Sequence, residues 1–318
     1  MVTAGPFGVV FFGTPQFAVP TLEALLASRH RVLGVVTQPD RPHGRGQRTS
    51  TGPVKARALA AGVAVVQPLA LKDPSFLTAL GDLKADIGVV VAYGKILTDA
   101  VLAIPRLGLL NVHASLLPRY RGAAPVHRAV IAGETETGVT IMRVVKALDA
   151  GPMLASVRQS IGTDDTSDEV ERKLATAGAT LLVATLDRLA AGPIEAMPQK
   201  DAEASYAPRL TKDDGIVDWS KGASALHNLV RGLHPWPLAF TYLGGERLIL
   251  RRTRVVDAHT PALPGTIVAA HGDDFLAATG DRLLAITELQ REGKRPVTAR
   301  EFLTGHPNLV GAQFRARP

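Results

Sequence analysis

The chain has 318 residues and a formal net charge of +7, with 46% hydrophobic and 20% charged residues, which is ordinary globular composition. This length exceeds one typical domain, so we expect two domains. The absence of cysteine excludes disulfides, thiolate metal ligands and thiol nucleophiles, and it fits a reducing compartment such as the cytoplasm. The basic pI of about 9.9 favours a polyanionic partner.

Targeting and metal signals are not found in the sequence. Residues 1–7 carry no positive charge ahead of an apolar stretch, so no signal peptide is predicted. The apolar runs are short and interrupted, and none approaches a membrane span, so we expect no membrane partner. The nine histidines show no His-x-x-x-His pair, and no metal site is predicted.

The first 132 residues alternate between short apolar runs and helical patterns. Strands are predicted at 8–14, where the strand runs into a tight turn, and at 32–38, 63–67, 87–92 and 108–111, and helices at 15–28, 54–61, 74–83, 98–104 and 126–132. Strands that are solid runs of Val, Ile and Leu predict a Rossmann-like, doubly wound parallel sheet with helices on both faces. The first turn, at 12–17, lacks the Gly-x-Gly-x-x-Gly fingerprint, which counts against a nicotinamide cofactor.

The central stretch, residues 111–125, follows the last of these strands. Asn111 and His113 are two residues apart, so on an extended backbone their side chains leave on the same face. An amide and an imidazole at the carboxyl end of a strand suit a developing oxyanion, because ligands of such sheets bind at that edge. The alternative is that both are loop residues that satisfy backbone groups.

The connection at residues 39–53 is unusually long and has no aliphatic or aromatic residue. Loops of this length without structure are usually functional or disordered. The basic side chains of Arg41, Arg45, Arg48 and Lys55 suit contact with phosphates. A solvated, mobile surface loop is the alternative.

Two further strands are predicted at 138–145 and 153–161, separated by a turn that contains Asp149. An Asp before Gly and Pro commonly bonds its own turn, and that alternative stays open here. A long helix is predicted at 166–189, where residues 166–169 offer a cap and an acidic first turn.

The domain boundaries follow from composition. We predict a catalytic domain at 1–190, a polar linker at 191–215 and a second domain at 216–318. In the second domain a helix at 223–233 precedes five short strands at 239–243, 247–255, 265–270, 275–279 and 283–290. Such spacing predicts a small β-barrel of the oligonucleotide-binding type. Its candidate basic face comprises Arg251, Arg252, Arg254, Arg291, Lys294 and Arg295.

Several segments resemble the 10-formyltetrahydrofolate-dependent formyltransferases. They are the central stretch, residues 136–142 and Leu148-Asp149-Ala150-Gly151. Within that family, residues 12–17 and 38–46, and the tail at 289–294 and 302–305, are similar to members that formylate methionyl-tRNA. One departure, Val145-Lys146-Ala147, is more similar to members that formylate amino-sugar nucleotides.

The resemblance implies transfer of a formyl group from 10-formyltetrahydrofolate to the α-amino group of initiator methionyl-tRNA, for translation initiation, by a cytoplasmic monomer that needs no metal. Asn111 and His113 resemble the family's oxyanion stabilisers, and Asp149 resembles the carboxylate that orients His113 or a water and manages the amine's proton. The resemblance places the folate against Ser115, Leu116, Leu117, Pro118, Tyr93 and Gly94. It places the tRNA acceptor stem against Arg41, Arg45, Arg48 and Lys55, and the tRNA body against the second domain.

Three alternatives stay open from the sequence. In the first alternative, the acceptor is a small amine, such as an amino-sugar nucleotide or a ribonucleotide amine, and the enzyme then requires no basic loop. In the second alternative, the chain is a non-catalytic protein that binds RNA or folate, although binding alone needs no trio of Asn111, His113 and Asp149. In the third alternative, the chain is a hydrolase that releases formate from the same folate.

Overall fold

The computed structural model describes residues 5–40, 42–43, 48–49 and 51–317, with only the backbone of 42–43 and 48–49. The chain forms two compact units. One contains the described residues up to 125 together with 136–160 and 171–207, and the other contains 126–135, 161–170 and 208–317.

A seven-stranded sheet forms the centre of the first unit. Its strands are, in spatial order, Met153–Ser160, Glu136–Arg143, Leu109–His113, Ile87–Val91, Gly8–Gly13, Arg31–Val36 and Val65–Val66. The last five run parallel, as the solid apolar runs predicted, and this confirms the Rossmann-like fold class. The other two extend the sheet as an antiparallel hairpin, so the whole sheet is mixed.

Helices connect the parallel strands, as the sequence predicted. They are Val19–Ala27, preceded by a 3-10 turn at Gln16–Ala18, then Pro53–Ala60, Pro74–Asp82 and Asp99–Leu102. Helix Pro125–Ile131 follows the central stretch. In the core, Phe12 and Tyr93 meet edge to face with ring centroids 5.7 Å apart, beside the buried side chains of Phe76 and Leu80. The tight core fixes the strand ends from which the site residues project.

Helix Ser167–Ala191 confirms the long helix predicted at 166–189. It is the one helix among the described residues that is long and apolar enough to cross a membrane, although half of its most apolar stretch is buried in the protein. Leu174, Leu182 and Leu186 are buried at helical spacing, as expected of a core helix. A Cβ on Gly178 would lie 2.9 Å from the Val112 side chain, so this helix packs closely on the strand of the central stretch.

An antiparallel sheet organises the second unit after helix Ala223–Gly232. Its strands are Ala239–Leu243, Glu246–Val256, Leu283–Arg291, Asp274–Ala278 and Ile267–His271 in spatial order, with Pro296–Thr298 paired to Leu283–Arg291. The five predicted strands are confirmed, and Pro296–Thr298 and the final helix Ala299–Thr304 are additional.

The chain's last described residues close this sheet into a barrel. Arg315 exchanges backbone hydrogen bonds of 2.9 Å in both directions with Tyr242, on one edge strand. On the opposite edge, Ile267 donates to the Ala312 carbonyl at 2.9 Å. Phe314 lies between these contacts and stacks on Trp219 with centroids 4.9 Å apart. One short segment therefore satisfies both edges of the sheet.

The two segments without predicted regular structure contain short elements. In the connection at 39–53, Pro42–His43 pairs with Arg48–Thr49 in antiparallel fashion. Between 191 and 215 there are 3-10 turns at Asp201–Glu203 and Asp213–Gly215, and a strand at Tyr206–Ala207. That strand pairs in parallel with Arg121–Gly122 of the central stretch. The domain boundaries predicted from composition stay a prediction.

Candidate active site

Strand Leu109–His113 brings Asn111 and His113 to the carboxyl edge of the first unit's sheet. Its neighbours in the sheet are Ile87–Val91 on one side and Glu136–Arg143 on the other, so it lies away from both sheet edges. Leu110 and Val112, the two residues that flank Asn111 in the strand, are buried. The His113 side chain is only 6% exposed, and Asn111 is partly buried. The sheet therefore holds both polar groups in a largely desolvated position.

Asp149 lies beside these two side chains. Its Oδ1 accepts from Asn111 Nδ2 at 3.3 Å, and its Oδ2 accepts from the Gly122 backbone N at 2.9 Å. The same Oδ2 is 3.7 Å from His113 Nδ1. The carboxylate thus reaches across to the central stretch, and the structure brings the three predicted catalytic residues together.

The other ring nitrogen of His113 is fixed by the central stretch. Nε2 lies 3.0 Å from the carbonyl oxygen of Tyr120. Because a carbonyl only accepts, this nitrogen is the donor, and Nδ1 is the nitrogen that faces Asp149. Tyr120 has a left-handed φ of 60°, so a residue in an unusual backbone conformation presents that carbonyl.

Hydrogen bonds to Arg119 and Thr140 fix the predicted folate-binding segment, residues 115–118. Ser115 Oγ donates to the Arg119 carbonyl at 2.6 Å, and Thr140 Oγ1 donates to the Ser115 carbonyl at 2.8 Å. Thr140 Oγ1 also accepts from the backbone N of Leu117 at 3.2 Å. The Leu117–Pro118 peptide is cis. Leu117 is buried, whereas Leu116 and Pro118 are partly exposed and present apolar surface.

Tyr93 and Gly94 follow directly after the neighbouring strand, Ile87–Val91. The Tyr93 carbonyl accepts from Gln38 Nε2 at 2.8 Å and from Thr14 Oγ1 at 3.2 Å, so its two lone pairs are in use. The Tyr93 ring is buried and its hydroxyl has no partner, and burial raises the pKa of that hydroxyl to about 12. Gly94 is exposed with φ of 80°, and a Cβ there would lie 2.7 Å from Gln38 Nε2. Gly94 is therefore the member of this pair that offers free backbone.

The predicted tRNA-contacting residues are only partly described. Arg41 and Arg45 lie outside the described residues, and for Arg48 only the backbone is described, in its short strand. Lys55 is on helix Pro53–Ala60, where its Nζ donates to Asp40 Oδ2 at 2.5 Å and to Gln67 Oε1 at 2.7 Å. The Lys55 ammonium, together with Gln67, lowers the pKa of Asp40. In this structure Lys55 therefore anchors the start of the basic connection.

Several supporting residues were not identified from the sequence. Gln199, in the stretch predicted to be a linker, donates through Nε2 to the carbonyls of Asp149 at 2.9 Å and Gly151 at 2.7 Å. Ser205 accepts from the Tyr120 backbone N at 2.9 Å. Both residues are far from the central stretch in sequence and follow no periodic pattern. No signal in a single sequence would have singled them out.

The basic residues of the second unit are mostly paired. Arg291 bonds Glu246 at 2.6 Å, Arg295 lies 3.3 Å from Glu301, and Arg252 lies 3.7 Å from Glu169. A groove of about 250 Å³ in this unit is lined by ten residues, among them Asp164, His227, Arg231, Arg251, Arg252 and Arg254. Arg254 is exposed. The predicted basic face is therefore in part a set of ion pairs.

Metal ligands are not assembled anywhere in the described part of the chain. Within residues 5–40 and 51–317 no group of three or more His, Asp or Glu side chains could hold a metal ion. The site's polar groups are an amide, an imidazole and a carboxylate. Together they can stabilise a negative oxygen and move a proton.

Family comparisons decide the class of protein to which this site belongs. Residues 8–186 match the model of a family described as formyl transferase, and residues 209–307 match that of the formyl transferase C-terminal domain. The chain belongs to the formyl transferase family. The first match contains Asn111, His113 and Asp149, and the second contains the barrel's strands.

Relatives of this formyl transferase are similar over nearly their whole length. The chain is 47% identical over 316 residues to the methionyl-tRNA formyltransferase of Pelobacter propionicus, covering 98% of each. It is 43% identical over 307 residues to the methionyl-tRNA formyltransferase of Alkaliphilus oremlandii, covering 95% of this chain and 99% of the relative.

Solved structures share the fold at lower sequence identity. The N-formyltransferase from Helicobacter canadensis, in complex with folinic acid and dTDP-3-aminofucose, superposes with a TM-score of 0.66 at 17% identity, covering 89% of this chain and 98% of that one. HypX from Aquifex aeolicus, in complex with tetrahydrofolic acid, superposes with a TM-score of 0.61 at 15% identity, covering 94% of this chain and 47% of that one. These similarities support the architecture of both units.

Proposed function

We propose that this formyl transferase moves the formyl group of 10-formyltetrahydrofolate to the α-amino group of initiator methionyl-tRNA. The observation that carries the proposal is the cluster of Asn111, His113 and Asp149 in a chain whose full-length relatives are named methionyl-tRNA formyltransferases. A protein that only binds RNA or folate needs no such cluster. The product, N-formylmethionyl-tRNA, serves translation initiation.

The reaction exchanges one C–N bond for another. The amine's lone pair attacks the formyl carbon, the carbonyl oxygen becomes an oxyanion, and the bond from that carbon to folate N10 then breaks. The proton that the amine loses balances the one that N10 gains. The protein therefore has to stabilise an oxyanion and carry a proton, and it needs no covalent nucleophile.

Asn111 and His113 supply the oxyanion donors in this proposal. The Asn111 amide and the His113 Nδ1 lie beside the two oxygens of one carboxylate, that of Asp149, so the two donors are close to each other. A protonated Nδ1 donates to the oxyanion while Nε2 stays bound to the Tyr120 carbonyl, which holds the ring in place. Losing one donor of this kind typically costs about 10²–10³ in rate.

Asp149 manages the proton. Its carboxylate is 13% exposed and is oriented by Gly122 N, so it keeps its direction without support from substrate. From that position it attracts the positive charge that develops on the attacking amine and on His113. The proton passes from the amine to folate N10 through Asp149 and His113 or through a bound water.

The folate is assigned to the segment at residues 115–118, in which Ser115 and Leu117 are buried and Leu116 and Pro118 are partly exposed, and to the backbone of Gly94. Support comes from the apolar surface of Leu116 and Pro118 and from the rigid hydrogen bonding of the segment. A flat, partly apolar ring system suits apolar contacts with a few exposed backbone polar groups. The free backbone of Gly94 offers such groups.

The tRNA is assigned to the basic connection and to the second unit. Arg41, Arg45 and Arg48 are the arginines of the connection, and Lys55 secures its base through Asp40. In the second unit, the exposed Arg254 and the arginines of the groove suit phosphate contacts. The net charge of +7 agrees with a polyanionic substrate. We further propose that the protein acts as a cytoplasmic monomer without a membrane partner.

The test is a direct assay with competing acceptors. Purified protein receives 10-formyltetrahydrofolate with methionyl-tRNA, or with an amino-sugar nucleotide, and both formylated product and released tetrahydrofolate are measured. We expect formylmethionyl-tRNA and no formylated sugar. Product on the sugar alone would overturn the acceptor, and tetrahydrofolate release without any formylated acceptor would indicate a hydrolase.

A further inference from the structure

The turn that contains Asp149 adopts a backbone conformation that needs external support. Asp149 has a left-handed φ of 48°, which is uncommon for a residue other than Gly and costs free energy. Residues 145–148, just before it, are exposed. Something outside the turn must hold Asp149 in this conformation, because its preceding residues have little packing.

Gln199 provides that support. Its single amide nitrogen donates to the Asp149 carbonyl at 2.9 Å and to the Gly151 carbonyl at 2.7 Å, so both amide hydrogens are used. The two carbonyls lie on either side of Ala150. One side chain therefore fixes the backbone on both sides of the turn.

The orientation of the Gln199 amide is itself determined. Its Oε1 accepts from Arg121 Nε at 3.0 Å, and Arg121 Nη2 donates to Asp201 Oδ1 at 2.9 Å. An arginine only donates and a carbonyl only accepts, so the amide fits this position in one orientation. The Arg121 side chain is 4% exposed, which shields its guanidinium from water, whereas the Asp201 side chain is 86% exposed.

The central stretch also binds the Asp149 carboxylate directly. Gly122, next to Arg121, donates its backbone N–H to Asp149 Oδ2 at 2.9 Å. Consecutive residues of the central stretch thus hold Asp149 twice, through its carboxylate directly and through its backbone by way of Gln199. Movement of the amide would turn the carboxylate away from Asn111 and His113.

We infer that Gln199 is a positioning residue for Asp149 in formyl transfer, an inference that rests on the proposed function. Gln199 touches no reacting atom; it acts on the direction of the Asp149 carboxylate. Because misplacing a catalytic group by 1 Å can cost about 10²-fold in rate, losing the two bonds should lower kcat by about 10- to 100-fold. The KM for either substrate should change less than about threefold, since the binding surfaces are untouched.

The test variants are Gln199→Glu and Gln199→Ala. The glutamate keeps the size of the side chain and the acceptor for Arg121, but it has no N–H for the two carbonyls, so it isolates the donated bonds. Gln159→Glu is the matched control, because Gln159 Nε2 bonds only the Ser160 carbonyl at an exposed position. Tetrahydrofolate release is followed beside formylated tRNA, because release reports formyl loss whatever the acceptor is.

A fall in kcat in both Gln199 variants, with KM and thermal unfolding near those of wild type and the control, supports the inference. In an Asp149→Glu background, Gln199→Glu should then have an effect of less than about twofold, because coupled residues are not additive. Unchanged kcat, an equal effect in both backgrounds, or loss of folded protein in both variants would overturn the positioning role. If the wild-type protein released tetrahydrofolate without forming formylated tRNA, only the proposed acceptor would be overturned. The effect of the Gln199 variants could still be measured as a change in the rate of tetrahydrofolate release.

Discussion

Gly151→Ala is the substitution whose effect follows most directly from the structure. A Cβ at this position would lie 1.8 Å from the carbonyl oxygen of Arg143, although Cβ contacts under 3.0 Å are essentially never observed. The oxygen belongs to backbone, so it has no flexible end that gives way. Either the turn with Asp149 or the strand Glu136–Arg143 must therefore shift by about 1 Å or more, which is enough to cost about 10²-fold in kcat.

The strand is the less mobile partner of this clash. Glu136–Arg143 pairs with Leu109–His113 on one side and with Met153–Ser160 on the other, and Arg143 N donates to the Pro152 carbonyl at 2.9 Å. The turn, with its exposed residues 145–148, should move instead and carry Asp149 with it. Overpacking of this kind also destabilises a protein by about 1–3 kcal/mol.

The assay compares Gly151→Ala with Gly192→Ala. Gly192 is the control because a Cβ there meets nothing within 4 Å and its φ is not left-handed. We expect kcat to fall about 10²-fold in the first variant and to stay near wild type in the second, with thermal unfolding measured for both. A wild-type kcat in Gly151→Ala would refute the claim that the position of this turn controls turnover.

Three further predictions concern the catalytic pair, acid stability and the tRNA. Asp149→Asn and His113→Ala should each lower kcat by at least about 10²-fold while tRNA binding, measured by filter retention, stays nearly intact; full turnover in either variant would remove that residue from the site. Hydrogen bonds from Thr166 lower the pKa of Glu169 below 4.5, so its charge stabilises the fold above that pH, and this stability is lost as pH falls through the lowered pKa. Glu169→Gln should accordingly lower the unfolding temperature at pH 7, and this loss should shrink as the pH falls through the lowered pKa; a loss that stays constant with pH would contradict the linkage. Arg45→Ala should raise the KM for methionyl-tRNA more than that for the folate, and it should reduce the salt dependence of kcat/KM; an unchanged salt dependence would count against phosphate contact.

Local patterns were sufficient to predict the architecture of this protein. Solid apolar runs predicted the five parallel strands, and the even spacing of strands after 239 predicted the barrel, because periodicity and turn residues act over a few neighbours. The two-residue spacing of Asn111 and His113 likewise predicted that their side chains lie on the same face of one strand. What these patterns left out were the antiparallel hairpin's place at the sheet edge and the closing of the barrel by residues 311–315.

The sequence by itself determined the fold class, the family resemblance and the pair at the end of strand Leu109–His113. Only the tertiary structure decided that the Asp149 carboxylate faces that pair, that Gln199 holds the Asp149 backbone, and that Lys55 is tied to Asp40. The reason is physical: each of these contacts joins residues more than ten positions apart, and their partners depend on how strands and loops pack. A polar residue in an irregular stretch gives no periodic signal of the group it will meet.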